Sequence, residues 1–171
     1  MFKALIVLSL MFGAVGPLPS QQTARVETSL AGVTISMPMV EVRRILGVPT
    51  RVVDTPIEVD WIAGEREYYF DRDHLVIKVV EDYYQKPGMH SEHSSGVLGI
   101  SVKGNGPVDK SIKTGLGLSL GDSAQTVRRL YGPTPQVKQH VQIHWANGNI
   151  LDIDLDSHGR VAEIDLNLNQ E

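Results

Sequence analysis

A chain of 171 residues with 42% hydrophobic content is long enough to build a real core without a metal or a covalent staple. Its 16 basic and 20 acidic residues give a formal net charge of -4, which offers no general attraction to nucleic acid or to an anionic membrane. Cysteine is absent, so thiolate chemistry, cysteine-ligated zinc and a lipid anchor on a lipobox cysteine are excluded.

The chain begins Met1-Phe2-Lys3, continues with an apolar run from Ala4 to Val15, and then reads Gly-Pro-Leu-Pro-Ser. That is the plan of a secretory signal peptide over residues 1–20. As a helix the run would span only about 18 Å, short of the roughly 30 Å hydrocarbon core, so cleavage is expected rather than a permanent anchor. The expectation is an exported protein, periplasmic or secreted, without stable membrane insertion after cleavage.

Next comes a segment that recurs. Residues 32–49, Gly32 to Pro49, lie over residues 117–134 at a constant offset of 85, with Val42, Arg43 and Arg44 coinciding with Val127, Arg128 and Arg129. In the second copy, Asp122 or Ser123 can cap a helix beginning at Ala124, Val127, Leu130 and Tyr131 make an apolar stripe, and Gly132-Pro133 stops it. The first copy has the same grammar: Ser36 and Pro38, the stripe Val42, Ile45 and Leu46, then Gly47 and Pro49.

After each helix the period changes from 3.6 to 2. The first copy predicts strands over 59–61, 65–71, 75–81 and 97–102. The second predicts strands around Val141 to Trp145, Ile153 to Leu155 and Val161 to Leu166, with tight turns at Asn147-Gly148 and at Ser157 to Gly159. Val59-Asp-Trp61-x-x-Gly64 also matches Ile143-His-Trp145-x-x-Gly148 at an offset of 84, so the two Trp are expected at equivalent buried positions. Residues 82–96 read as a long loop.

The expected fold is therefore α+β: two tandem repeats, each a short helical segment on an antiparallel four-stranded meander, with the sheets joined into one curved surface. Repeat 1 covers residues 28–103, a linker 104–113, and repeat 2 residues 114–171.

Two constellations invite a metal reading. Asp152, Asp154 and Asp156, with Glu163 further on, mimic the spacing of a calcium loop, but Ser157 stands where the loop needs Gly, and Ile153 and Leu155 alternate with the carboxylates as on a strand. His90-Ser-Glu92-His93 lacks a distant third ligand, and His140 and His144 are too far apart along a strand to share one small ion. No metal and no cofactor is expected. No Ser-x-x-Lys or His-Glu-x-x-His pattern is present, which argues against an enzyme.

The run Thr114-Gly-Leu-Gly-Leu-Ser-Leu-Gly-Asp-Ser, followed by Thr126-Val-Arg-Arg-Leu-Tyr-Gly-Pro-Thr-Pro, a Trp strand and an acidic strand ending His158-Gly-Arg-Val, resembles the helix and meander unit of beta-lactamase inhibitor protein-like domains. SmpA/OmlA outer-membrane lipoproteins share one such unit. The resemblance covers roughly residues 30–167 and implies the fold. In the tandem inhibitors a concave sheet surface grips a protein, but those proteins carry disulfides, and inhibition itself is not carried over.

The expected function is a non-catalytic protein-binding module using exposed sheet faces, with a small-ligand or lipid carrier as the alternative. Strand parity assigns the face in the first repeat to Tyr69, Lys78 and Val80, with Tyr83 and Tyr84 at its edge if the strand continues, and in the second to His144, Asp152 and Asp154.

Overall fold

The computed structural model describes residues 25–56, 62–72, 74–85, 93–104, 109–133, 136–137 and 139–168. It is an α+β structure. A small hairpin, β1 (Ser29–Leu30) and β2 (Val33–Thr34), precedes helix α1 (Met39–Leu46). Four strands follow: β3 (Arg51–Pro56), β4 (Ile62–Arg72), β5 (Leu75–Gln85) and β6 (His93–Gly104). Helix α2 (Ala124–Tyr131) and four more strands complete the chain: β7 (Gln136–Val137), β8 (His140–His144), β9 (Asn149–Leu155) and β10 (Val161–Leu168).

The helices stop where the sequence says they should. Gly47 and Gly132 take φ of 88° and 85°, a region a Cβ would penalise, and each donates its amide to a carbonyl four residues back, Arg43 and Arg128. The starts differ. Ser123 caps α2 by accepting the Thr126 amide, whereas Pro38 holds the N-cap of α1 with no side-chain bond, so Ser36 is not a cap.

Strands β3 to β10 form one antiparallel sheet in the order β3-β4-β5-β6-β10-β9-β8-β7. The two meanders meet through β6 and β10, whose register is self-matching: Gly99 faces Asn167, Ser101 faces Asp165, and Lys103 faces Glu163. Both central strands carry register shifts near their starts: β6 between Ser94 and Val97 and again between Val97 and Gly99, and β10 between Val161 and Glu163. The segment before each helix is held to the same place: Ser36 and Met37 exchange backbone hydrogen bonds with Val97, and Gly121 and Asp122 with Val161.

One face of the sheet carries the core. Along one row, Tyr68, Val79, Ile100, Leu166, Leu151 and Ile143 are paired from strand to strand, and along the next, Phe70, Ile77, Val102, Ile164, Ile153 and Val141. All are buried and belong to one cluster with Val42 and Leu46 of α1 and Val127 and Tyr131 of α2. Both helices therefore cover the same face. Burying a side chain of this size contributes roughly 1.5–3 kcal/mol, which is what makes the alternation of the strands decisive.

Several expected boundaries move. The first strand of the first meander is Arg51–Pro56, and residues 57–61, Trp61 among them, lie outside the described residues. Strands β5 and β6 run to Gln85 and from His93, so residues 82–85 and 93–96 of the expected 82–96 loop are strand, and residues 86–92 lie outside the described residues. His90 and Glu92 lie outside the described residues. The short strand β7 adds a fourth strand to the second meander.

The Trp-x-x-Gly match is also corrected. Gly148 lies in the turn between β8 and β9, after the second strand of its meander, but Gly64 sits inside β4, the second strand of the other, opposite Pro56 and Tyr83. The two glycines serve different needs. A Cβ on Gly64 would stand 2.6 Å from the Thr55 carbonyl oxygen and 2.7 Å from the Tyr83 hydroxyl, so the position is small to let those groups approach rather than to make a turn.

Candidate functional site: the open face of the sheet

The residues that alternate with the core positions form the opposite face, which neither helix covers. A row of paired positions crosses seven strands: Arg51, Tyr69, Lys78, Ser101, Asp165, Asp152 and Gln142. A flanking row joins Val53, Glu67, Val80, Gly99, Asn167, Ile150 and His144. On the other side run Asp71, Val76, Lys103, Glu163, Asp154 and His140.

Seven of the eight expected contact residues therefore share the parity of this face: Tyr69, Lys78, Val80, Tyr84, His144, Asp152 and Asp154. Tyr84 has the same parity on β5 and is 38% exposed, near the end of the strand. Tyr83 does not belong here. β5 continues through it without a shift against β4, so it alternates onto the helix-covered side, buried beneath the Arg66 guanidinium at 4.5 Å. The expectation that Tyr83 and Tyr84 both edge the face is thus corrected: the unbroken two-residue alternation of β5 puts Tyr84 on it and Tyr83 on the opposite side.

At the β3 to β5 end, the Arg51 guanidinium lies 3.7 Å from the centre of the Tyr69 ring. The Tyr69 hydroxyl donates to Glu67 at 2.6 Å, and Lys78 approaches the same carboxylate at 3.4 Å. The Tyr69 bond, then the Lys78 charge, hold Glu67 below the usual carboxylate range, against the opposing effect of partial burial. This cluster was not legible as a unit, because Arg51 and Tyr69 become neighbours only through the β3–β4 register.

At the other end His140 sits between two carboxylates. Its Nδ1 is 2.8 Å from Asp154 and its Nε2 3.2 Å from Asp152, an arrangement satisfied on both sides only by the doubly protonated ring. The hydrogen bond to Asp154 raises the His140 pKa above its ordinary value. Nearby, burial raises the pKa of Asp165, with the Glu163 and Asp152 charges adding to it and a Ser101 bond opposing it. His144 bonds Gln142 at 2.8 Å instead of sharing the carboxylates.

Asp152 and Asp154 are strand residues, as their alternation indicates, while Asp156 closes the following turn by accepting the His158 and Arg160 amides. Glu163 is paired with Lys103 at 2.6 Å. The calcium-loop geometry is thus not formed by these four.

Charge is divided between the two sides. Among the described residues the open face carries eight acidic side chains (Glu65, Glu67, Asp71, Asp82, Asp152, Asp154, Glu163, Asp165) and three Lys or Arg (Arg51, Lys78, Lys103), a formal excess of five negative charges. The two helices on the opposite side carry Arg43, Arg44, Arg128 and Arg129 against Glu41 alone. A depression of about 350 Å³ opens in the acidic face, lined by Glu65, Glu67, Lys78, Val80, Leu98, Gly99, Asn167 and Leu168. No helix among the described residues is long and apolar enough to cross a membrane.

No protein-family model, no curated protein and no solved structure matches this chain.

Proposed function

We propose that this chain is an exported, non-catalytic protein-binding module that docks a partner on the open face of its sheet. The carrying observation is that face itself: seven strands in register present one polar and predominantly acidic surface, covered by neither helix among the described residues, with Tyr69 and Lys78 fixed at one end and Asp152 and Asp154 at the other. A specific interface needs about 800 Å² from each partner. Strands spaced about 4.8 Å apart and roughly 20 Å long give a four-stranded meander about 400 Å² of face and two joined edge to edge about twice that.

The reading accords with a tandem origin of the two meanders, which we propose with it. Offset-85 positions coincide at the buried helix residues (Val42 and Val127, Leu46 and Tyr131) and at both helix stops, and the pre-helix segments bond to Val97 and Val161 in the same way. The self-matching β6–β10 register is what joining two copies would produce. With its natural twist, and with a depression already open on this side, the joined sheet would be concave there, as in the beta-lactamase inhibitor protein-like domains that the sequence resembles. The apolar leader supports export.

The test places a photo-crosslinking residue at Lys78 or Asp152 and, separately, at Arg44 or Arg129, in the protein expressed with its leader. Discrete adducts from the sheet positions and none from the helix positions are expected, weakened by Tyr69→Ala with Lys78→Ala. Adducts from the helix positions alone would refute the assignment. The carrier alternative would show instead as a co-purified small molecule with no protein adduct.

A further inference from the structure

We infer that the depression over Gly99 is a receptor for one cationic side chain, with an aliphatic stem, presented by the docked protein partner; this rests on the docking reading above.

The depression has a local cause. Glu67, Val80, Gly99 and Asn167 are directly opposed across four strands, and Gly99 contributes no side chain, so the row is interrupted in the middle. A Cβ at that position would lie 2.4 Å from Asn167 Oδ1. In the second meander the register shift that places Gly99 on β6 places Glu163 on β10, and there the space holds a carboxylate paired with Lys103 at 2.6 Å. Two matching positions are thus filled differently: one by an internal ion pair, the other by the Asn167 side chain lying against Gly99, with the depression beside it.

The walls and rim specify the occupant. Val80, Leu98 and Leu168 are apolar and half-buried, a surface suited to methylene groups. At the rim Glu67 is already satisfied by Tyr69 and Lys78, whereas Glu65 is exposed and has no ion-pair partner among the described residues. Glu65 and Glu67 against Lys78 leave one excess negative charge. An apolar plug would leave that carboxylate unmatched and an anion would be repelled. A lysine or arginine side chain lays its stem on Val80 and Leu98 and its head at Glu65. The surplus of acid over the whole face favours a basic partner surface in the same sense.

The decisive experiment is an amide chemical-shift titration of the isotopically labelled protein with N-acetyl-arginine amide, against N-acetyl-citrulline amide, which keeps the shape and loses the charge. Expected are saturable shifts confined to the neighbourhood of residues 80, 98, 99, 167 and 168, with the citrulline compound at least tenfold weaker. Glu65→Gln, an exposed change that should not disturb folding, should weaken the arginine compound at least tenfold, and Gly99→Ala should do so by filling the floor. Equal response to both compounds, shifts centred on Asp152 and Asp154, or indifference to Glu65→Gln would overturn the inference. The titration needs no partner, so its failure removes the receptor while the crosslinking result separately decides the docking face.

Discussion

The hydroxyl of Tyr131, the last residue of α2, donates to the carboxylate of Glu27 at 3.0 Å across 104 positions of the chain. Glu27 is buried, and the same carboxylate accepts the amides of Gly115 at 3.0 Å and Leu116 at 3.1 Å, while its own carbonyl accepts from Asn149. Burial pushes the Tyr131 hydroxyl far above its ordinary range, which keeps it a donor. The segment ahead of the first helix is therefore fastened to the second half of the chain.

Removing the carboxylate should expose that dependence. Glu27→Ala leaves buried amide donors unmatched and is expected to cost about 2–4 kcal/mol, whereas Tyr131→Phe, which leaves the ring packed, should cost about 1 kcal/mol. Chemical denaturation gives both numbers. Equal costs would mean that the Glu27 amide contacts contribute nothing beyond the tyrosine bond.

Tyr68 makes stability sensitive to alkali. Burial, then its hydrogen bond to the Glu81 carboxylate, raises its pKa to about 12 from 10.0. A raised folded value means the contribution is complete below the unfolded pKa near 10 and is lost as pH climbs toward 12. Stability should fall across that window in the native protein and fall less steeply in Tyr68→Phe, as urea midpoints at pH 9, 10 and 11 would reveal.

His140 titrates in the opposite part of the range. Because its folded pKa is raised by Asp154, and secondarily by Asp152, its stabilising contribution is present below the ordinary histidine value and lost as pH rises through the folded one. The ring-proton titration of His140 should have its midpoint above 6.5 and move down in Asp154→Asn. A midpoint indifferent to that change would show that the ring does not hold the contact drawn here.

Trp145 packs edge-on against Tyr131, with ring centres 6.3 Å apart, yet its buried indole nitrogen has no hydrogen-bond partner among the described residues. Trp145→Phe deletes that unmatched donor together with some apolar area, so the two effects should cancel to within about 1 kcal/mol. Trp145→Ala removes the ring altogether from a half-buried site and should cost about 2–4 kcal/mol. A Phe variant as unstable as the Ala variant would place a hydrogen-bonding water or group on the indole nitrogen.

The sequence alone determined the local elements whose causes are local. Helix stops at Gly47 and Gly132 follow from backbone sterics, and the assignment of Asp152 and Asp154 to one face and Ile153 to the other follows from the two-residue period of a strand. Tyr69, Lys78 and Val80 share a face for the same reason. What it misjudged were features with distant causes. Gly64 resembled a turn glycine because its need for smallness comes from Thr55 and Tyr83, one on either neighbouring strand, and Asp82 to Gln85 resembled a loop because only pairing with β4 and β6 makes them strand. Tertiary structure alone decided that β6 meets β10, that Glu27 is buried against Tyr131, and that a depression opens beside Gly99 while Glu163 pairs with Lys103. Each depends on side chains brought together from 60 or more positions apart, a register that no periodicity within a single strand encodes.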